Sequence, residues 1–237
     1  KHMNRFQKFV KMLSDIFVPI IPAIVAGGLL MGLNNIFTAK DLFYDGKSII
    51  DVHSQFSGLA DMINIFANAP FTLLPILIGF SAAKRFGGNP YLGAALGMIL
   101  VHPGLMSAYD FPKALEEGKA IPHWDVFGLH INEVGYQGQV LPMLVATYIL
   151  ATIEKWLRKV IPTVLDNLLT PLLSIFITAF ITFLFVGPVT RQLGYWLSDG
   201  LTWLYEFGGA IGGLIFGLLY APIVITGMHH SFIAVET

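Results

Sequence analysis

Two adjacent histidines, His229 and His230, stand in the stretch ITGMHHSFIAVET, behind a long uncharged run rich in Gly, Leu, Ile and Phe. Neutral imidazole donates a hydrogen bond through one ring nitrogen and accepts through the other. It also ligates metals and titrates near neutrality. Metal chelation fits this pair poorly, because successive helical residues point about 100° apart. Helical zinc sites use i, i+4 spacing, and the chain has no cysteine to complete a metal motif. Two readings stay open. One is a solvated pair just past a membrane edge; the other is a set of polar hooks in a cavity that takes a ligand rich in hydroxyls. Thr226 and Gly227, immediately before the pair, loosen a helix and offer backbone groups, as broken helices do around transporter sites. Elsewhere, Asn64 and Asn68 lie four apart on one helical face, a spacing that favours bonds between helices over contact with a hydroxyl-rich ligand. His102 beside Pro103 reads as a turn residue.

The elements that hold these residues follow from composition. The 237 residues are 55% hydrophobic and only 12% charged, about half the charge of a soluble domain. So few charges do not cover a water-facing surface, and the chain reads as a membrane protein. With 14 basic and 15 acidic residues, nothing points to nucleic acid. The absence of cysteine excludes a disulfide framework, a thiolate metal site and a cysteine nucleophile. No cofactor or metal is expected. The first apolar run is long enough to span and lacks an Ala-x-Ala-like exit, so it does not read as a cleavable signal. The opening Lys-His-Met is left out of the functional reading as a cloning residue.

A spanning helix needs about 20 apolar residues. Six segments qualify or nearly do: 16–37, 62–83, 91–106, 140–157, 168–186 and 209–226. The third is short and holds His102, Pro103 and Gly104. The expected fold is therefore all-α, polytopic, with about six transmembrane helices. Two amphipathic interfacial helices join them. One is the lead-in over 1–15, with Phe6, Phe9 and Val10 on one face. The other is a linker over 191–208, with Leu193, Trp196, Leu197, Leu201 and Leu204 opposite Arg191, Ser198, Asp199, Thr202 and Glu206. Arg5, Lys8 and Lys11, Lys84 and Arg85, and Lys155, Arg158 and Lys159 all fall on one side of this arrangement. The positive-inside bias makes that side cytoplasmic and puts the N-terminus inside. Gly-x-x-x-Gly spacings in spans one, three and six read as simple close packing more than as a dimer seam.

Three stretches, SDIFVPIIPAIVAGGLLMGL, GFSAAKRFGGNPYLGAALG and VITGMHHSFIAVE, resemble the membrane (enzyme IIC) component of bacterial sugar phosphotransferase systems. The likeness is to the glucose superfamily, in its sucrose, trehalose and β-glucoside branch, and it runs in order over nearly the whole chain. It implies a permease that carries a sugar inward while a partner phosphorylates it. The partners implied are a glucoside, the phosphorylated IIB domain that carries the phosphocysteine, the bilayer and a second copy of the chain. The plan implied is a scaffold with the dimer interface (16–190), an amphipathic linker (191–208) and the start of a mobile transport unit (209–237). The family's Gly-x-His-His-type motif maps onto Gly227, Met228, His229 and His230, and implies a histidine on sugar hydroxyls, with His229 slightly favoured.

One departure accompanies the match. The family's Gly-x-Thr-Glu-Pro hairpin, whose glutamate helps hold sugar, has no counterpart here, and Glu236 beside Thr237 does not match it. The chain is thus expected to be a fragment of a longer component that by itself neither transports nor phosphorylates. Two competing readings are a secondary transporter driven by protons through the histidines, which calls for intramembrane carboxylates, and a membrane scaffold that only forms dimers.

Overall fold

A computed structural model describes residues 4–209 and residue 218. The chain divides into two compact units, Lys1–Leu74 and Pro75–Thr237.

The first unit opens with α1 (Arg5–Phe17). Its start is fixed by a reciprocal cap: the Gln7 N–H donates to Asn4 Oδ1 at 2.7 Å, and the Asn4 N–H donates to Gln7 Oε1 at 3.2 Å. Phe6, Phe9 and Val10 on its apolar face are exposed. A 3₁₀ turn at Val18–Ile20 leads into α2 (Ile21–Thr38), with Pro19 and Pro22 each in a first turn, where no amide is needed. The short α3 (Ile49–Val52) precedes α4 (Ser57–Thr72). Helix α2 packs on α4 through Gly27, where a Cβ would sit 2.9 Å from the Phe71 ring and 3.0 Å from the Ala67 carbonyl oxygen; at Gly28 and Gly32 it would meet open space.

The second unit is built around helix α5 (Leu74–Arg85), which begins at the boundary, and α6 (Pro90–Leu100). Their junction, Phe86–Asn89, follows from its sequence. Gly87 takes φ +83°, the left-handed conformation that glycine adopts without penalty after a helix. Asn89 then caps α6, its Oδ1 accepting from the Tyr91 N–H at 2.8 Å, and Pro90 opens the helix. Gly79 and Gly93 bring the two backbones into direct contact, and a Cβ on Gly97 would lie 2.5 Å from the Pro75 carbonyl oxygen. The Gly-x-x-x-Gly of this segment therefore serves packing inside the chain.

After α7 (Phe111–Glu116) come two strands, β1 (His123–Val126) and β2 (Leu129–Asn132), paired antiparallel with Asp125 opposite His130. The described residues are mostly helical, and this two-stranded hairpin is a local departure from the all-α expectation. In HWDV-FG-LHIN each strand alternates in side-chain direction. Phe127 and Gly128, both at positive φ, form the two-residue turn that matches strand twist. One face buries Ile131 and sets Trp124 edge-on against Phe183, with ring centroids 5.6 Å apart.

Helix α8 (Leu141–Val160) buries one stripe, including Met143, Ala146, Leu150 and Leu157, and packs on α9 (Thr163–Ile181). On α9 the pattern is inverted relative to a soluble protein. Thr170, Ser174 and Thr178 are buried, while Val164, Leu168, Leu172 and Phe176 face outward. Small hydroxyl residues at helix contacts and large apolar ones outside are the arrangement lipid selects. A π-turn at Thr182–Val186 joins α9 to α10 (Gly187–Gly208).

Three helical segments are long and apolar enough to cross a membrane: Arg5–Thr38, Ser54–Arg85 and Thr163–Leu204. The expected six are not reproduced among the described residues. Helix α6, with 11 residues, covers only about 16 Å. Helix α8 carries Glu154, Lys155, Arg158 and Lys159 in its last two turns, and the sixth segment lies outside the described residues. The helix that holds residues 191–208, α10, begins at Gly187 and is continuous with the preceding helix. Of its expected polar face, Arg191 and Ser198 are buried, while Leu193, Trp196 and Leu197 are exposed. The two faces are as the spacing predicts, and their placement repeats that of α9: polar groups turn to the protein and large apolar ones outward.

Candidate functional site

Thr226, Gly227, His229 and His230 lie outside the described residues. Among the described residues, two polar arrangements and one mainly apolar cavity stand out, all within the second unit.

The first surrounds Arg191, only 7% exposed. Its guanidinium carbon lies 4.4 Å from the centre of the Phe111 ring and 4.6 Å from that of Tyr136, and Nη2 reaches the Gly135 carbonyl oxygen at 3.5 Å. A planar, weakly hydrated cation suits such a slot. The slot is assembled from separate elements. The Tyr136 N–H donates to the Leu100 carbonyl at 2.8 Å, the Ala108 N–H donates to Gln137 Oε1 at 2.9 Å, and the bare face of Gly187 admits the Tyr136 hydroxyl. Burial pushes the Tyr136 hydroxyl pKa up, with the nearby Arg191 charge opposing. Arg191 thereby fastens the loop after the hairpin to the first turns of α10.

The second is a buried carboxylate. Glu154 is 2% exposed; its Oε2 accepts from the Asn89 N–H at 2.9 Å and its Oε1 from Arg158 Nη2 at 2.8 Å. Arg158 also faces Asp166 at 3.5 Å, and Asp166 accepts from the Thr170 hydroxyl at 2.6 Å. The hydrogen bond that Arg158 donates to Glu154 is the main reason the Arg158 pKa is raised. Lys155 Nζ donates to the Phe86 carbonyl at 2.7 Å. Both ends of the α5–α6 loop are thus tied to α8.

The third is a cavity of about 360 Å³ lined by Ile99, His102, Gly104, Leu105, Trp124 and Phe183. His102 Nδ1 accepts from the Gly104 N–H at 2.9 Å, so its proton sits on Nε2. The histidine is both the turn residue expected from VHPG and part of a cavity wall. Asn64 and Asn68, in the first unit, bond to each other at 3.0 Å.

Sequence reasoning missed the roles of Glu154 and Arg191. Glu154 and Arg158 carry an i, i+4 signal; Arg191 carries none, since its ring partners lie far away in sequence.

The phosphotransferase system EIIC family model matches residues 14–237. The chain belongs to this family. It is 86% identical over 237 residues to the PTS system sucrose-specific EIIBC component of Staphylococcus xylosus, covering 100% of this chain and 49% of that protein. It is 63% identical over 234 residues to the sucrose-specific EIIBC component of Vibrio alginolyticus, covering 99% and 49%. It is 50% identical over 236 residues to the trehalose-specific EIIBC component of Bacillus subtilis (strain 168), covering 100% and 50%. This EIIC chain therefore spans about half the length of the curated relatives it matches. No solved structure matches it.

Proposed function

We propose that this EIIC chain is part of a sugar-translocating permease that binds a glucoside, a disaccharide such as sucrose or trehalose, and presents it to a phosphorylated IIB domain. The observation that carries the proposal is the 86% identity, over the whole chain, to a protein named sucrose-specific. The trehalose-specific relative at 50% keeps the second sugar in the same reading.

In this reading His229 and His230 hydrogen-bond sugar hydroxyls, with Thr226 and Gly227 loosening the helix beside them. Each neutral imidazole offers one donor and one acceptor, which matches a hydroxyl's own pair of roles. Phosphoryl transfer asks little covalent chemistry of the acceptor site, so the cavity's task is to orient one hydroxyl in line with the phosphocysteine of IIB. The chain sits in the bacterial cell membrane with its N-terminus cytoplasmic, supported by the clustering of Lys and Arg on one side of the spans. Residues 16–190 form a scaffold that dimerises, 191–208 a linker and 209–237 the start of the transport unit. The inverted polarity of α9 supports immersion in lipid.

The test is phosphoenolpyruvate-dependent phosphorylation by membrane vesicles containing the whole protein of which this chain is part, with the soluble carriers added. Sucrose phosphate or trehalose phosphate is the expected product. Proton-driven accumulation of unmodified sugar, without phosphoenolpyruvate, would instead support the secondary-transporter reading.

A further inference from the structure

The outward face of the hairpin carries three side chains that the sugar-transport reading leaves unused. His123, Asp125 and His130 are 40%, 75% and 62% exposed. His123 Nε2 lies 3.5 Å from Asp125 Oδ2, and His130 Nδ1 lies 4.0 Å from Asp125 Oδ1. One ligand atom from each of the three falls within 4.8 Å of the others. The two imidazoles stack with centroids 4.1 Å apart.

Strand geometry makes this grouping obligatory. His123 and Asp125 are two apart and share a face, and His130 is the cross-strand partner of Asp125. The opposite face is occupied by Trp124 and Ile131, so slipping the register by one residue would both expose Ile131 and scatter the three polar groups.

A second observation concerns the His123 ring. Its Nδ1 lies 3.4 Å from the Ile121 carbonyl oxygen. A carbonyl only accepts, so in this contact Nδ1 carries the proton, and in the neutral ring the Nε2 lone pair stands beside the Asp125 carboxylate. That nitrogen and the carboxylate oxygen offer a cation two donors, a place for which a proton and a metal ion compete. A backbone carbonyl on the far ring nitrogen is also the usual device that orients a metal-ligating histidine.

We propose that His123, Asp125 and His130 form a binding site for a divalent transition metal ion on the hairpin's exposed face. Two imidazoles and one carboxylate suit zinc and its borderline neighbours, copper(II) and nickel(II), over magnesium or calcium. At bond lengths of about 2.0–2.2 Å, tetrahedral ligands stand about 3.4 Å apart. The 3.5 Å and 4.0 Å separations run to different oxygens of Asp125, and the exposed side chains rotate out of the ring stack to turn both nitrogens toward one ion. Water completes the shell. The bound ion clips β1 to β2 and stiffens the segment whose other face sets Trp124 in the wall of the His102 cavity.

The test is calorimetric titration of the 237-residue chain in detergent with zinc chloride, repeated on His123→Ala, His130→Ala, Asp125→Asn and a His53→Ala control. Amide exchange of residues 123–132 is measured with and without zinc. Expected is a saturable site that each hairpin substitution weakens by about tenfold or more and the control leaves intact, with zinc slowing hairpin exchange only in the wild type and the control. Any zinc held by His229 and His230 persists in all variants and is subtracted. Binding equal in wild type and all three hairpin variants overturns the proposal, as does unchanged hairpin exchange at saturating zinc. The near-isosteric Asp125→Asn, on an exposed face, keeps the test valid even if a histidine variant unfolds.

Discussion

Replacing Glu154 by Ala removes a carboxylate that accepts two hydrogen bonds while 2% exposed. Hydrogen bonds to a charged group contribute about 1.5–3 kcal/mol each, which sets a gross loss of about 3–6 kcal/mol. Part of this returns. The Arg158 side chain is 46% exposed and keeps Asp166 at 3.5 Å, so its charge is not stranded as a fully buried partner's would be. The part-buried Asn89 N–H loses its carboxylate partner. A net cost of about 3 kcal/mol follows, or about 6–12 °C in melting temperature for a chain of this size. Glu154→Gln keeps an oxygen for the Asn89 N–H and loses the ion pair, so about half that drop is expected. Thermal unfolding in detergent, followed by near-ultraviolet circular dichroism, reads both. A double-mutant cycle with Arg158→Ala isolates the pair. If Glu154→Ala melted within about 1 °C of wild type, the claim that this carboxylate fastens the α5–α6 loop to α8 would be refuted.

Arg191→Lys keeps the charge but loses the flat stacking between Phe111 and Tyr136; a drop of about 2 kcal/mol in stability is expected from the lost cation–π contacts, and a melting curve matching wild type would contradict the stacking argument. Gly93→Ala forces a methyl group into the Gly79 carbonyl and should sharply reduce folded yield, whereas Gly28→Ala meets open space and should be neutral or slightly stabilising; size-exclusion profiles distinguish the two. At Asp51 the carboxyl pKa is lowered, first by the Ser48 backbone N–H and then by the Ser48 hydroxyl. Because the folded value lies below the unfolded one near 3.8, this contribution is present above that pH and is lost as pH falls through the folded value. Carbon-13 NMR of the Asp51 carboxyl should show the pKa rising toward 3.8 in Ser48→Ala, and no change would count against the cap.

Much of the helical architecture was legible because its signals are local. The Asn4–Gln7 cap, the GGNP junction and the prolines at helix starts each specify backbone conformation within a few residues. Membrane character was legible from composition. The spans were less so: hydropathy alone marks 140–157 as a crossing segment, yet the charged last turns of α8 are used for tertiary bonds to Asn89 and Phe86. The hairpin was hidden inside a loop reading because its turn is Phe-Gly instead of Asn-Gly or Asp-Gly. Phe127, at φ 51° and 98% exposed, is a residue that turn chemistry does not favour. Arg191 was legible as part of a polar face opposite Leu193, Trp196 and Leu197, but its burial was not, because Phe111 and Tyr136 lie far from it in sequence. The candidate sugar residues were legible only through type and family resemblance, and they lie outside the described residues.

The central claim is that the histidine pair hydrogen-bonds a glucoside. Its most direct test is equilibrium binding of radiolabelled sucrose and trehalose to the whole protein containing this chain, in detergent, beside His229→Ala and His230→Ala variants whose melting temperatures match the wild type. Loss of binding by about tenfold or more in at least one variant is the predicted result. Unchanged affinity in both would contradict the account and return the pair to a solvated position at the membrane edge.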